Sequence, residues 1–343
     1  MKKPSKHKTS IAKKVAMTPL ENDATDENHN KIIHTHDEKT SPYGVLRLFD
    51  FSGVSWRGLG LISPAFFYAI LFAIVPLIGL ITISLWQQTG LNSYEKVWDF
   101  TNYVKVWNDD LFPRLIIRTI IIAALVTLGT VLVSFPAAYY ISFYGGENKN
   151  TWLFFITLPF WSSYLLRVFS WKIVLGYGGV LDSAWLSILG IFLPDQSLDD
   201  YHMTFLLYNI NSVVITLAHA YAPFAILPIF ISLEKIDRSL LEAASDLGDK
   251  SWQSFFRITL PLCFTGIVGA TVIVFIPTMG DYVTPKLVGG SEGIMISNQI
   301  ECMFKTCADW PLGSTLSIIT MGLGFLALLL FIFFSRGIFK KIK

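Results

Sequence analysis

Asp281 is the residue whose position most invites a chemical role. It closes a stretch, 258–280, that holds no Asp, Glu, Lys or Arg. An ionisable group at the edge of so apolar a run is either functional at membrane depth or a carboxylate at the interface that faces water, and both readings stand. Tyr282 beside it, and Trp161 and Tyr164 earlier in the chain, present ring faces that attract cations. For the two earlier rings, lipid contact or helix packing is the default reading. His219 reads first as a hydrogen-bonded helix contact and second as a proton-linked group. Arg167, Trp171 and Lys172 suit interfacial anchoring, with a gate or docking contact as the rival. A nucleotide-hydrolysing site finds no support: Gly248-Asp249-Lys250-Ser251 lacks the glycine that precedes lysine in a phosphate-binding loop. His-Glu-x-x-His and Cys-x-x-Cys are also absent. No catalytic residue, metal site or cofactor is expected.

The elements that must position these residues are membrane helices. Of 343 residues, 52% are hydrophobic and 15% charged, and the mean hydropathy is +0.51. Such a composition all but excludes a soluble protein. A net charge of +2 is too small for nucleic-acid binding by phosphate neutralisation, and three cysteines exclude a disulfide scaffold. Ten Trp and 13 Tyr fit rings placed near lipid headgroups.

A helix crossing the hydrocarbon layer needs about 20 mostly apolar residues. Charge-free stretches run over 58–86, 119–146, 150–166, 201–233, 258–280 and 310–335. They predict six spans at about 59–86, 116–143, 151–176, 206–233, 259–282 and 312–335, together forming a domain over 58–343. The third span is extended to take in Arg167 and Lys172, whose long side chains reach the headgroups. Prolines inside several spans are tolerable because neighbouring helices satisfy the freed carbonyls. With both termini cytoplasmic, 19 Lys and Arg lie inside and five outside, so that orientation is expected. Residues 1–57 read as a polar cytoplasmic tail, disordered at least to Thr40, in which His29, His34 and His36 are solvated. The first 20 residues lack the apolar core of a cleaved signal, so the first span is expected to serve for insertion. Cys302 and Cys307 fall on the outer side, where a disulfide and two free thiols are both open; Cys263 reads as packing.

The connection at 234–261 carries the strongest pattern. Leu240, Leu241, Ala244 and Leu247 recur at helical spacing, then Trp252, Phe255 and Phe256 do so after a glycine. Gly248 suits the left-handed end of a first helix and Ser251 the cap of a second. Two short amphipathic helices at an angle make a knob that needs a socket. The residues Glu242-Ala243-Ala244-x3-Gly248-x9-Ile258-x-Leu260-Pro261 resemble the EAA loop of ABC-importer permeases. The resemblance implies an all-α membrane protein with six transmembrane helices of the type I importer-permease fold. It also implies that Glu242, Ala243, Ala244, Gly248, Leu260 and Pro261 couple the chain to a separate ATPase.

A narrower resemblance covers most of the chain. Leu158-Pro159-Phe160-Trp161, Leu166-Arg167-Val168-Phe169-Ser170-Trp171, Pro223-Phe224, Gly280-Asp281-Tyr282-Val283 and Asp309-Trp310-Pro311 are similar to the spermidine/putrescine permeases. This implies half of a polyamine pathway in a bacterial inner membrane. The implied partners are a second homologous permease, two ATPase copies and a periplasmic polyamine-binding protein, with lipid around them. A polycation needs carboxylates and aromatic faces along its route, because a bare ammonium is costly to desolvate. Asp281, Tyr282, Trp161 and Tyr164 are the candidates. The competing expectation is an ion-coupled secondary transporter of a small organic cation, using Asp281 or His219.

Overall fold

The computed structural model describes residues 56–90, 93–192 and 206–342, with side chains over 63–90, 93–191 and 206–335. The tail 1–57, with His29, His34 and His36, lies outside the described residues except for Trp56 and Arg57. The chain divides into two units, Met1–Ala69 and Ile70–Lys343. The described part of the first is the opening of helix α1 (Trp56–Ser84), whose side chains from 63 to 69 are exposed.

In the second unit, a short hairpin of β1 (Gln87–Gly90) and β2 (Ser93–Glu95) follows α1. Then come α2 (Thr101–Asn108), α3 (Leu111–Tyr144), α4 (Lys149–Thr157), α5 (Tyr164–Leu175), α6 (Val180–Phe192) and α7 (Ile210–Glu234). The chain continues through α8 (Arg238–Asp246), α9 (Ser251–Leu262), α10 (Phe264–Gly280), α11 (Ile296–Lys305) and α12 (Trp310–Ile342). Among the described residues, five helical stretches are long and apolar enough to cross a membrane, and α9 with α10, bent by 62°, makes a sixth when the pair is taken as one span.

The centre of the bundle is α3 against α7 and α10. Ile122, Val126, Val213, Leu217, Ile229 and Val274 form its buried core. Small residues set the approach: a Cβ on Gly266 would lie 2.5 Å from Ser232 Cβ and 2.6 Å from the Pro228 carbonyl oxygen. Ser134 donates its hydroxyl to the Ala222 carbonyl at 3.2 Å, a tie of the kind that links helices where apolar attraction is weak. A second cluster, with Val106, Leu115, Ile116, Ile296 and Leu316, closes the end opposite the α8–α9 connection.

Two features depart from the simple six-span reading. The stretch expected to be one span over 151–176 is broken at the turn Leu158–Trp161, where Pro159 has no N–H to give. The stretch with the length and apolarity to cross there is Tyr164–Ile191, interrupted around Gly178, whose φ is +66°. The hairpin was not legible because Gln87-Gln88-Thr89-Gly90 has no apolar alternation. Such a hairpin is marginal alone; here Gln88 Nε2 donates to the Ala308 carbonyl at 3.0 Å and Tyr94 packs on Trp310. Nearby, Cys302 and Cys307 form a disulfide with Cα atoms 5.2 Å apart, which decides between the two readings of that pair.

Candidate functional site

The first candidate surface is the knob at one end of the bundle. Asp237 Oδ1 accepts the Ser239 N–H at 3.0 Å and caps α8. That bond holds the Asp237 carboxyl below its usual range. The other end of α8 closes with Gly248 N–H on the Ser245 carbonyl (2.9 Å) and Asp249 N–H on the Ala244 carbonyl (3.0 Å). This is a Schellman pair, and it requires the left-handed φ of +88° at Gly248. Ser251 does not cap α9. The capping residue is Lys250, whose N–H is taken by Gln253 Oε1 at 2.8 Å. Arg257 and Asp249 bridge the elbow at 2.9 Å.

Burial divides the motif. Ala244 faces inward and Leu260 and Pro261 are half-buried at the neck, whereas Glu242, Ala243 and Gly248 are exposed. Leu247 stands 89% exposed beside them, with Leu240 and Trp252. The knob therefore presents an apolar face, with small residues and the carboxylates of Glu242 and Asp246, to whatever meets this end of the bundle.

The second candidate is a cavity of about 400 Å³ formed where α5, α7 and α10 meet. Asp281 lies 9% exposed at its wall. Its Oδ1 accepts the N–H groups of Val283 (2.9 Å) and Thr284 (3.4 Å), and its Oδ2 accepts the Tyr164 hydroxyl at 2.5 Å. A carboxylate offers about four lone-pair sites, so one is left for a ligand. Phe160, Tyr221 and Phe224 supply aromatic wall, with Phe160 edge-on to Phe224 at 4.7 Å. Arg167 reaches the same cavity but is pinned to backbone, donating to the carbonyls of Ala220 (3.1 Å) and Ser162 (3.4 Å).

Of the four residues expected along a pathway, the cavity unites Asp281 and Tyr164 and leaves out the others. Asp281 has extended backbone, so its neighbour Tyr282 points the opposite way. Tyr282 lines a separate apolar cavity of about 590 Å³ between α10, α11 and α12, with Lys305 Nζ 5.2 Å from its ring centre. Trp161 ends the Leu158–Trp161 turn, 79% exposed and edge-on to Phe154. Sequence reasoning missed the walls Phe160, Tyr221 and Phe224. A signal was present, since Phe160 and Phe224 each directly follow a proline. His219 Nδ1 accepts from Trp171 Nε1 at 3.1 Å, the helix-contact arrangement. Gly289-Gly290-Ser291-Glu292-Gly293 spells a Gly-x-Ser-x-Gly string. It follows the helical turn Pro285–Gly289 rather than a strand, so it is no nucleophile elbow.

Beyond the cavity, α11 is tied to Asp281 through its backbone: Ser297 Oγ donates to the Asp281 carbonyl at 2.6 Å and Asn298 Nδ2 to the Tyr282 carbonyl at 2.7 Å. Glu301 in α11 pairs with Lys286 at 3.0 Å and Lys305 at 3.2 Å. The Lys286 hydrogen bond, seconded by Lys305, holds its carboxyl below the usual range.

Residues 131–341 match the family described as "Binding-protein-dependent transport system inner membrane component". The spermidine/putrescine transport system permease protein PotB of Haemophilus influenzae is 31% identical over 277 residues, 80% of this chain and 92% of that protein. PotB of Escherichia coli K12 is 30% identical, covering 80% and 97%. The inner membrane ABC transporter permease protein YdcU of the same strain is 29% identical over 78% and 88%. In fold, the chain is similar to one in the crystal structure of a bacterial alginate ABC transporter bound to its alginate-loaded periplasmic protein. The TM-score is 0.60 at 18% identity, covering 83% of this chain and 96% of that one.

Proposed function

Because this chain belongs to the family of binding-protein-dependent transport system inner membrane components, we propose that it is the permease subunit of an ATP-driven polyamine importer and forms half of the translocation pathway. The observation that carries this reading is the knob: its EAA residues stand on an exposed, capped elbow with Leu247 at the crest. Glu242, Ala243 and Gly248 meet the ATPase subunit, while Ala244, Leu260 and Pro261 seat the elbow on the bundle. ATP hydrolysis belongs to that partner. Two ATPase copies, a second homologous permease and a periplasmic polyamine-binding protein complete the assembly. Both termini and the knob face the cytoplasm, as the basic residues around the knob favour. Closure of the ATPase pair draws the two knobs together and turns the pathway from inward-facing to outward-facing; the binding protein then releases its cargo into it.

Spermidine or putrescine as substrate is supported by the names of the relatives and by the chemistry of the cavity. Its free carboxylate lone pair suits an ammonium, and the rings of Phe160, Tyr221 and Phe224 suit the methylenes and the cation's charge. Arg167 repels cations at one side, so an ammonium settles toward Asp281. The test is uptake and ATP hydrolysis by the reconstituted complex across a panel of linear amines, sugars and organic anions. Stimulation by spermidine or putrescine above the others is expected. If no polyamine stimulates it, the substrate assignment is lost; uptake that persists without any ATPase chain overturns the energy source.

A further inference from the structure

α3 touches the machinery at both ends of the bundle. Its 34 residues extend about 51 Å at about 1.5 Å per residue. At the knob end it is gripped by both knob helices. Arg238, the first residue of α8, donates from Nη2 to the Ser142 carbonyl at 3.2 Å and lies 5.9 Å from the Phe143 ring centre. Phe255 in α9 meets Phe135 edge-on at 5.6 Å and Tyr139 at 6.0 Å. Glu234 at the end of α7 accepts from Ser142 Oγ at 2.8 Å and from Lys149 Nζ at 2.6 Å. Phe135 and Tyr139, on either side of Pro136, both pack on Phe255, so the knob grips α3 at the proline itself.

At the far end, buried Thr119 accepts the Ile296 N–H at 2.8 Å while donating to the Leu115 carbonyl at 2.7 Å. Arg118 Nη1 donates to the Glu292 carbonyl at 3.1 Å. Ile296 opens α11, and the next residue, Ser297, holds the Asp281 carbonyl. The two helices joined covalently to the knob reach it through joints: α10 across the 62° bend at Cys263, and α7 through the short link to Arg238, with Pro223 and Pro228 within its length. α3 meets the knob by direct side-chain contact, and its single internal proline, Pro136, is flanked by residues packed on Phe255. Close packing against α7 and α10 makes it a stiff strut.

We propose that α3 is the transmission element of the transporter. Arg238 and Thr119 are its positioning residues: they carry displacement of the knob along α3 into α11, and from there into the backbone of Asp281. The inference rests on the reading that the knob docks on an ATPase.

The test uses the assembled complex in proteoliposomes and compares T119V, T119S, R238Q and E242K. It reads basal ATP hydrolysis, its stimulation by loaded binding protein, and ATP used per spermidine moved. T119V keeps the side-chain shape but gives Ile296 N–H no acceptor. It is expected to cut the stimulation about fivefold or more, with basal hydrolysis and complex yield unchanged and with T119S close to wild type. R238Q, at the exposed inner junction, gives the same split, and it decides alone should T119V fail to assemble. Wild-type stimulation and stoichiometry in the assembled junction variants overturn the proposal. E242K separates this from the reading beneath it: if E242K uncouples while both junction variants behave as wild type, only the transmission role falls. Full uptake in E242K removes the docking itself.

Discussion

Three donors already hold the Asp281 carboxylate, and their identity decides what removing its charge will do. An asparagine still offers an oxygen to the N–H groups of Val283 and Thr284, so Asp281→Asn keeps the local backbone while discarding the charge. A hydrogen bond to a charged group is worth about 1.5–3 kcal/mol. The variant should therefore raise the KM for polyamine uptake by about ten- to a hundredfold, with complex yield unchanged. An unaltered KM in uptake assays would reduce Asp281 to a capping residue. Glu301 gives a pH signature at the far end. Its carboxyl is held below its usual value, chiefly by the Lys286 hydrogen bond, so its pairing with Lys286 and Lys305 stabilises the fold above that value. The contribution is lost as pH falls through the lowered one. Glu301→Gln should accordingly melt below wild type at pH 7 in detergent, with the difference closing as pH falls below the usual carboxylate range; a gap that persists in acid would contradict an electrostatic origin.

Helix ends and helix contacts carry the next set of consequences. Gly248 has open space around a would-be Cβ, so Gly248→Ala meets only the backbone cost of a left-handed residue, about 1–2 kcal/mol. Gly248→Pro also removes the N–H given to Ser245 and imposes an incompatible φ. ATP-coupled uptake should weaken in the first and vanish in the second, with membrane insertion intact in both; equal uptake in the two would remove the elbow from the coupling path. Within the bundle, Gly266→Ala drives a methyl into Ser232 and Pro228, and overpacking of this kind costs about 1–3 kcal/mol. Gly79→Ala meets nothing. Detergent melting should fall for the first variant and not for the second. The knob was legible in the sequence because its signal is local, a glycine at the end of one amphipathic repeat and fixed spacing to Leu260 and Pro261. The cavity was not. Its walls come from α5, α7 and α10, far apart in the chain, and whether Tyr282 or Tyr164 turns toward Asp281 depends on backbone direction at two breaks. Pro159 marked one of those breaks, but apolarity alone could not say where the chain would cross again.

For the molecule as a whole, two independent features bear on which side of the membrane the knob faces. Lys235, Arg238, Lys250 and Arg257 surround the knob, and basic residues are retained on the cytoplasmic side during insertion. The disulfide Cys302–Cys307 lies at the opposite end, joining the last turn of α11 to the residues just after it, and such bonds persist in an oxidising compartment. Charge and redox chemistry thus favour one topology for unrelated reasons. Leu247→Cys, placed at the exposed crest of the knob in a background with Cys302 and Cys307 changed to serine, turns this into a measurement, because the remaining Cys263 is buried. In intact spheroplasts a membrane-impermeant maleimide should leave that cysteine unlabelled, and permeabilisation should expose it to full reaction. Labelling without permeabilisation would invert the orientation and, with it, the assignment of the knob to an ATP-hydrolysing partner.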